Sequence, residues 1–379
     1  MSSVTPPSPD SGPTHPGNNF DFVRLAAALF VLVSHQHALM GLPEPSIRGV
    51  QSLGGLGVMV FFVISGFLVA QSWNADPHLG RFAARRLLRV WPGLAVVILL
   101  SVALLGPAVS TLALSDYFAH PWTREYLKNL HFTTRFQLPL HFDGSTLPTS
   151  VNGSLWTIPL ELKCYLLMAL AAMGGLLRAR WVLLAALAGT AAIYLGPAPA
   201  AQGWSAAFHW QQERRFLLEF GLYFFAGTAL QAFRIQDSAA RTGVAVVLVW
   251  ALAAAAWAAG LQLLALWLAL PATVVALANA ATPGLRAAGR FGDLSYGIYI
   301  YAFPVQQTLI WSLRDRMPWS ALLLLTLAIT LAFAFASWHL VEKRALRLKP
   351  RRRAPSRSAP AAMWRSWGTR TPPRATPGS

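Results

Sequence analysis

Residues 54–73 read GGLGVMVFFVISGFLVAQSW, twenty residues without a charged side chain. At 1.5 Å per residue a helix of that length is about 30 Å long, the thickness of the hydrocarbon core of a bilayer. Such a helix has no polar face to turn to water, whereas in lipid its backbone groups satisfy one another. The pattern repeats outward from this stretch. Residues 22–40, 54–73, 90–105, 155–173, 181–195, 216–232, 244–259, 261–280, 291–313 and 320–341 make ten apolar stretches. The expected fold is all-α, a polytopic transmembrane helix bundle of about ten spans.

Composition agrees. Of 379 residues 55% are hydrophobic and 12% charged, about half the charged share of a soluble domain. The apolar stretches follow one another closely enough to place residues 20–348 in one membrane domain. Residues 1–19 are rich in Pro, Ser, Thr and Gly and read as disordered; with no basic segment ahead of the first stretch, that stretch reads as a retained span. Residues 349–379 read as a disordered basic tail. The net charge of +17 is concentrated at this end, with eleven Lys or Arg and no acid from Lys343 to Ser379. Beside a last span, such a segment suits anionic lipid headgroups rather than nucleic acid. A single cysteine, Cys164, excludes an intrachain disulfide framework.

Short loops rich in Lys and Arg favour the cytoplasmic side. Arg81, Arg85, Arg86 and Arg89 follow the second stretch, Arg178 and Arg180 the fourth, Arg234 and Arg241 the sixth, Arg286 and Arg290 the eighth, and the tail the tenth. These junctions share one side if residues 244–280 cross twice, turning at Gly260, and both termini are cytoplasmic. The outer side then receives residues 106–154, with Tyr117, His120, Trp122, His131, Phe136, His141 and Phe142. Such side chains suit sugar recognition and an interfacial belt equally.

Ionisable groups inside a span are costly and therefore functional candidates. Arg24 and His35 are eleven residues apart, three helical turns, so they share a face about 16 Å apart, with His35 toward the outer side. Arg85 and Arg89 are at i,i+4 and Arg86 and Arg89 at i,i+3, a grouping of guanidinium forks that suits phosphates. Glu161 and Tyr165 share a face of the fourth stretch, entered through Asn152-Gly153-Ser154-Leu155-Trp156. Glu161 is placed to orient His35, to meet a polar acceptor, or to pair with Lys163 or an arginine. Ser154, Trp156 and Tyr165 are acceptor or structural candidates. So is Glu342, which with Asp293 is expected at the cytoplasmic boundary, where solvent reaches a carboxylate and Lys343 and Arg344 offer surface pairing. Ser65 and Cys164 are possible acyl carriers, although small residues in spans more often serve packing. The sequence has no nucleophile elbow, Walker loop, dinucleotide fingerprint or His/Cys metal spacing.

These elements together resemble the integral-membrane acyltransferase 3 family, bacterial enzymes that O-acylate surface and secreted carbohydrates. The resemblance rests on Asp21-Phe22-Val23-Arg24 with His35, Gly57 to Phe67, Arg85/Arg86/Arg89 before Pro92, Gly153-Ser154-Leu155-Trp156-Thr157 with Glu161, Leu294 to Tyr299 with Pro304, and Val341-Glu342. It implies a multi-pass inner-membrane enzyme without a cofactor. Acyl-CoA, by default acetyl-CoA, would be the donor, with its phosphates on Arg85, Arg86 and Arg89 and Arg24 helping to position it. His35 would be the general base or acyl carrier, with Glu161 beside it, and a carbohydrate or glycolipid the acceptor. Two positions depart from the family pattern: Ala302 stands where a histidine often precedes the proline, and Arg344 where a proline commonly follows Val-Glu-x. A transporter or flippase of a polar or lipid-linked solute fits ten charged spans too, though no internal repeat supports it. A membrane scaffold recruiting partners through the tail is the third reading.

Overall fold

The computed structural model describes residues 17–195 and 210–350; most of the two terminal segments expected to be disordered lies outside the described residues. The described residues up to Lys349 belong to one compact unit. Ten long helices lie among them: α1 (Phe20–Leu39), α2 (Leu53–Ala75), α3 (Leu79–Leu100), α4 (Thr157–Met173), α5 (Arg180–Leu195), α6 (Trp210–Ala232), α7 (Ala239–Ala258), α8 (Gln262–Asn279), α9 (Ser295–Leu313) and α10 (Trp319–Ser337). The strands among the described residues are β1 (Ser46–Ile47) and β2 (Gln51–Ser52), a hairpin whose turn places Arg48 and Gly49 at φ 48° and 74°.

Among the described residues seven helical segments are long and apolar enough to cross a membrane: α1, α2, α3 continued to Val109, α4 with its leading turn from Gly153, α7, α8 and α10 continued to Arg347. The protein is an all-α, multi-pass membrane protein. The apolar part of α5 is shorter, Arg180–Ala192. In α9 the polar residues Ser295, Gln306 and Gln307 are buried within the protein, which explains a span-length helix that is less apolar than its neighbours. The stretch 244–280 does turn at Gly260, whose φ of +79° favours glycine.

Some boundaries differ from expectation. α3 starts at Leu79 rather than near residue 90, so Arg81 to Arg89 lie on the long helix itself. α9 starts at Ser295, because Leu285–Phe291 is a 3-10 helix and Gly292 breaks the chain at φ +110°. α3 and α10 each continue through a π-helical turn, Ser101–Leu105 and Trp338–Glu342.

α2 packs between α1 and α6 at backbone distance. A Cβ on Gly57 would come 2.5 Å from the Ala27 carbonyl oxygen, and one on Gly66 1.8 Å from that of Phe224; with no hydrophobic drive between helices in lipid, such close contact is what holds them. α9 packs between α1 and α10. The segment before α4 follows α9: Gln307 donates to the carbonyls of Leu147 and Ser150 (2.8 and 2.7 Å), and Asn152 Nδ2 to that of Ile300 (2.7 Å). Non-helical backbone at this depth is thus covered by protein. Within residues 106–154 Tyr117 and Phe142 are buried, while Trp122 and Phe136 remain exposed. Tyr117 and Phe142 are therefore packing residues, because Tyr117 OH donates to the Val102 carbonyl and Phe142 lies in the apolar core.

Candidate active site

Five helices enclose a cavity of about 120 Å³. Arg24 of α1, Ser65 of α2, Arg86 and Arg89 of α3, Thr157, Glu161 and Tyr165 of α4, and Tyr296 and Tyr299 of α9 line it, with Phe61 and Phe62 on the apolar side. Glu161 accepts two short hydrogen bonds on one oxygen, from Ser65 Oγ and from Tyr165 OH, both 2.5 Å. The i,i+4 spacing of Glu161 and Tyr165 brings the second bond about; the first needs α2 and α4 to meet. At the other end, the hydroxyls of Thr157 and Tyr299 lie 2.6 Å apart.

The arginine end is an ion-pair network. Asp293 Oδ2 meets Arg89 Nη2 at 2.6 Å and Arg24 Nη1 at 3.3 Å, while Ser295 Oγ donates to its other oxygen at 2.6 Å. Glu342 accepts from Ser337 Oγ at 2.9 Å and meets Arg89 Nη1 at 3.4 Å. It is 1% exposed, which corrects the expectation of a solvated boundary carboxylate. The π turn Trp338–Glu342 carries it to the interior, where Ser337 and Arg89 meet its carboxylate.

The arginine cluster divides. Arg86 and Arg89 line the cavity, but Arg85 turns away and meets Asp76 Oδ2 at 2.7 Å. Arg81 makes a fork on the same carboxylate at 2.9 and 2.5 Å. Hydrogen bonds from Arg81 and then Arg85 hold the Asp76 carboxyl, in the turn between α2 and α3, well below the usual carboxylate range. The arrangement fixes the angle at which α3 leaves α2. Asp76 escaped the sequence reading, although an acid just ahead of four arginines was a visible signal.

His35 does not line the cavity. It lies beyond the end closed by Thr157 and Tyr299, with its ring edge-on to Phe303 at 5.2 Å. Phe303 is one turn of α9 past Tyr299, about 6 Å along the axis. The Phe303 ring also fills the space where Gly153 has no side chain; a Cβ there would lie 2.4 Å from it. His35 Nδ1 and Ser154 Oγ are buried without hydrogen-bond partners among the described residues. Glu161 bonds Ser65 and Tyr165, so the arrangement in which it orients His35 is not the one formed here. Trp156 packs on Phe216 and Phe220, with centroids at 4.6 and 5.7 Å, and Cys164 is buried in the core. No group of three metal-ligating side chains occurs among the described residues.

The structure thus joins Arg24, Ser65, Arg86, Arg89, Glu161 and Tyr165 in one cavity and sets His35 a turn beyond it. The family model described as an acyltransferase domain matches residues 18–339, which hold every one of these side chains. The chain belongs to this acyltransferase family. The acyltransferase is 32% identical over 338 residues to an O-acetyl transferase of Shigella phage Sf6, covering 88% of this chain and 97% of that one. It is 29% identical to nodulation protein 10 of Rhizobium leguminosarum bv. viciae, covering 88% and 94%. A shorter match, 27% identical, covers 37% of this chain and 26% of a regulator of hypoxia-inducible factor 1 from Caenorhabditis elegans. No solved structure matches. The protein is an enzyme that transfers acyl groups other than aminoacyl groups.

Proposed function

We propose that this acyltransferase takes an acyl group, acetyl by default, from acyl-CoA on the cytoplasmic side and transfers it to a hydroxyl of a carbohydrate or glycolipid. The observation that carries the reading is the cavity with Arg24, Arg86 and Arg89 at one end and His35 a turn beyond the other. Guanidinium groups suit a phosphorylated donor. The apolar and hydroxyl-lined passage suits its pantetheine arm, which would run the roughly 16 Å between the levels of Arg24 and His35. The name of the phage relative supports O-acetylation.

In this reading His35 takes the proton from the acceptor hydroxyl as its oxygen attacks the thioester carbonyl. The carbon–oxygen bond forms, the carbon–sulfur bond breaks, and the CoA thiolate leaves with the proton. Direct transfer needs no acyl-enzyme; transient acylation of His35 is the two-step form of the same chemistry. Phe303 stands between cavity and imidazole, so its side chain must turn aside as the thioester arrives. In this reading both termini and the arginine-rich ends of the helices face the cytoplasm, in a bacterial inner membrane crossed ten times.

The test uses protein reconstituted in sealed vesicles, with labelled acetyl-CoA outside and a glycan extract inside, or the reverse. Base-labile label on carbohydrate is expected only when the donor faces the arginine side. Absence of label with folded protein in either orientation, and with a longer acyl-CoA, would leave solute transport as the better account.

A further inference from the structure

Among the described residues Arg24, Arg86 and Arg89 line the cavity, Arg81 and Arg85 lie on the same helix α3, and Lys349 follows the last short helix; four of these six cations are matched by carboxylates. Arg24 pairs with Asp21 and Asp293, Arg81 and Arg85 share Asp76, and Arg89 pairs with Asp293 and Glu342. Arg86 and Lys349 have no carboxylate partner among the described residues. Arg86 lines the cavity between the rings of Phe82 and Tyr165, each 5.9 Å from its guanidinium carbon, and its Nε is buried without a hydrogen-bond partner. Glu161 across the cavity acts on its charge without an ion pair, and a cation withdrawn from water is costly unless an anion completes it.

Lys349 is the second unmatched charge. It follows the short helix Lys343–Arg347, which packs on α3. Lys343, Arg344 and Arg347 of that helix are exposed, whereas Lys349 is partly buried. Burial, and then the charges of Arg89, Arg86 and Arg85, bring its ammonium group down to about 8. The exposed cations face outward, while Lys349 is partly buried and follows the helix packed on α3, which carries Arg85, Arg86 and Arg89.

We propose that Arg86 and Lys349 form the anion clamp of this site: Arg86 holds the donor phosphate nearest the pantetheine arm and Lys349 one further from the thioester. Arg85, neutralised by Asp76, holds the helices, while Arg24 and Arg89 line the same end already paired with carboxylates. The clamp rests on the acyl-CoA reading and adds to it a residue beyond the last helix as a determinant of donor affinity. The shared chemistry is a phosphate, and a lipid headgroup is the competing source.

The experiment compares steady-state kinetics of the full-length wild type, Lys349→Ala, Lys349→Arg and Arg344→Ala in phosphatidylcholine nanodiscs. The donors are acetyl-CoA and S-acetylpantetheine, which lacks the phosphates. Loss of one charge-assisted contact should raise the KM of Lys349→Ala for acetyl-CoA about tenfold with kcat nearly unchanged. The acetyl-CoA preference over S-acetylpantetheine should fall by the same factor, Lys349→Arg should restore it, and Arg344→Ala should match wild type. An equal change with both donors, or none, overturns the clamp. So does a defect that appears only when phosphatidylglycerol is added, which assigns Lys349 to lipid. A wild type that turns over neither donor defeats the acyl-CoA reading and the clamp with it; an active wild type with an unaltered Lys349→Ala defeats the clamp alone.

Discussion

Asn152 donates its side-chain amide to the carbonyl of Ile300 at 2.7 Å, the carbonyl that Pro304, four residues on and without an N–H, leaves unpaired within α9. The same side chain accepts from Ser154 N at 3.0 Å and so begins the turn that leads into α4 and Glu161. One residue thus repairs the proline break and joins the two helices that carry Tyr299 and Glu161.

This makes a coupled prediction. Asn152→Ala should destabilise the folded protein by about 1–3 kcal/mol, because a buried carbonyl loses its donor. In a Pro304→Ala background the restored N–H serves that carbonyl, and the cost of Asn152→Ala should shrink. A double-mutant cycle of unfolding in detergent measures the difference; equal costs in both backgrounds would refute the assignment.

The division of the arginine cluster predicts opposite phenotypes for adjacent residues. Arg85→Ala removes one partner of a buried pair and should cost about 3 kcal/mol in unfolding, with the donor KM of the surviving folded protein unchanged. Arg86→Ala should leave stability nearly intact and raise that KM. A KM effect from Arg85→Ala matching that of Arg86→Ala would show the two acting alike.

Lys349 predicts a pH effect whose sign is fixed. Its ordinary value of 10.5 falls to about 8 in the folded protein, first by burial and then by Arg89, Arg86 and Arg85, against the smaller opposing pull of Asp293. Between these values the unfolded chain holds a proton that the free folded protein has lost, so this group adds stability as pH rises through the window. Donor binding needs the charged form, so KM for acetyl-CoA should climb as pH rises past about 8. Lys349→Arg should flatten that climb; an identical profile in the variant would assign it elsewhere.

Topology is open to chemical labelling, because the single native cysteine, Cys164, is buried. On a Cys164→Ser background, cysteines at the exposed positions Ser115 and Ala259 should react with an impermeant thiol reagent from outside intact cells. Ala287 and Arg347, also exposed, should react only after permeabilisation. Reaction of Ala259 and Ala287 from the same side would mean that α8 does not cross.

Much of this was legible in the sequence. The apolar stretches located the helices, and a helix-breaking glycine located the turn at Gly260. The shared face of Glu161 and Tyr165 followed from i,i+4 spacing. Spacing on one helix does not reveal which neighbour that face meets, so the split between Arg85 and Arg86 depended on Asp76, and the Ser65–Glu161 bond on the meeting of α2 with α4. Glu342 was misplaced for a similar reason: a π turn and the partner Arg89, far away in sequence, hold it inside. The placing of Glu161 apart from His35 depends on how residues 147–152 run along α9 before α4 begins, which no local periodicity encodes.

The most direct test of the account is transfer of labelled acetyl from acetyl-CoA to a surface-glycan extract by reconstituted wild type and His35→Ala, with folding of both verified by their unfolding transitions. The account predicts base-labile label on carbohydrate with wild type and a loss of at least about a hundredfold with His35→Ala, the lower range for removal of a general base. Equal transfer by the two proteins would contradict it and remove His35 from the chemistry.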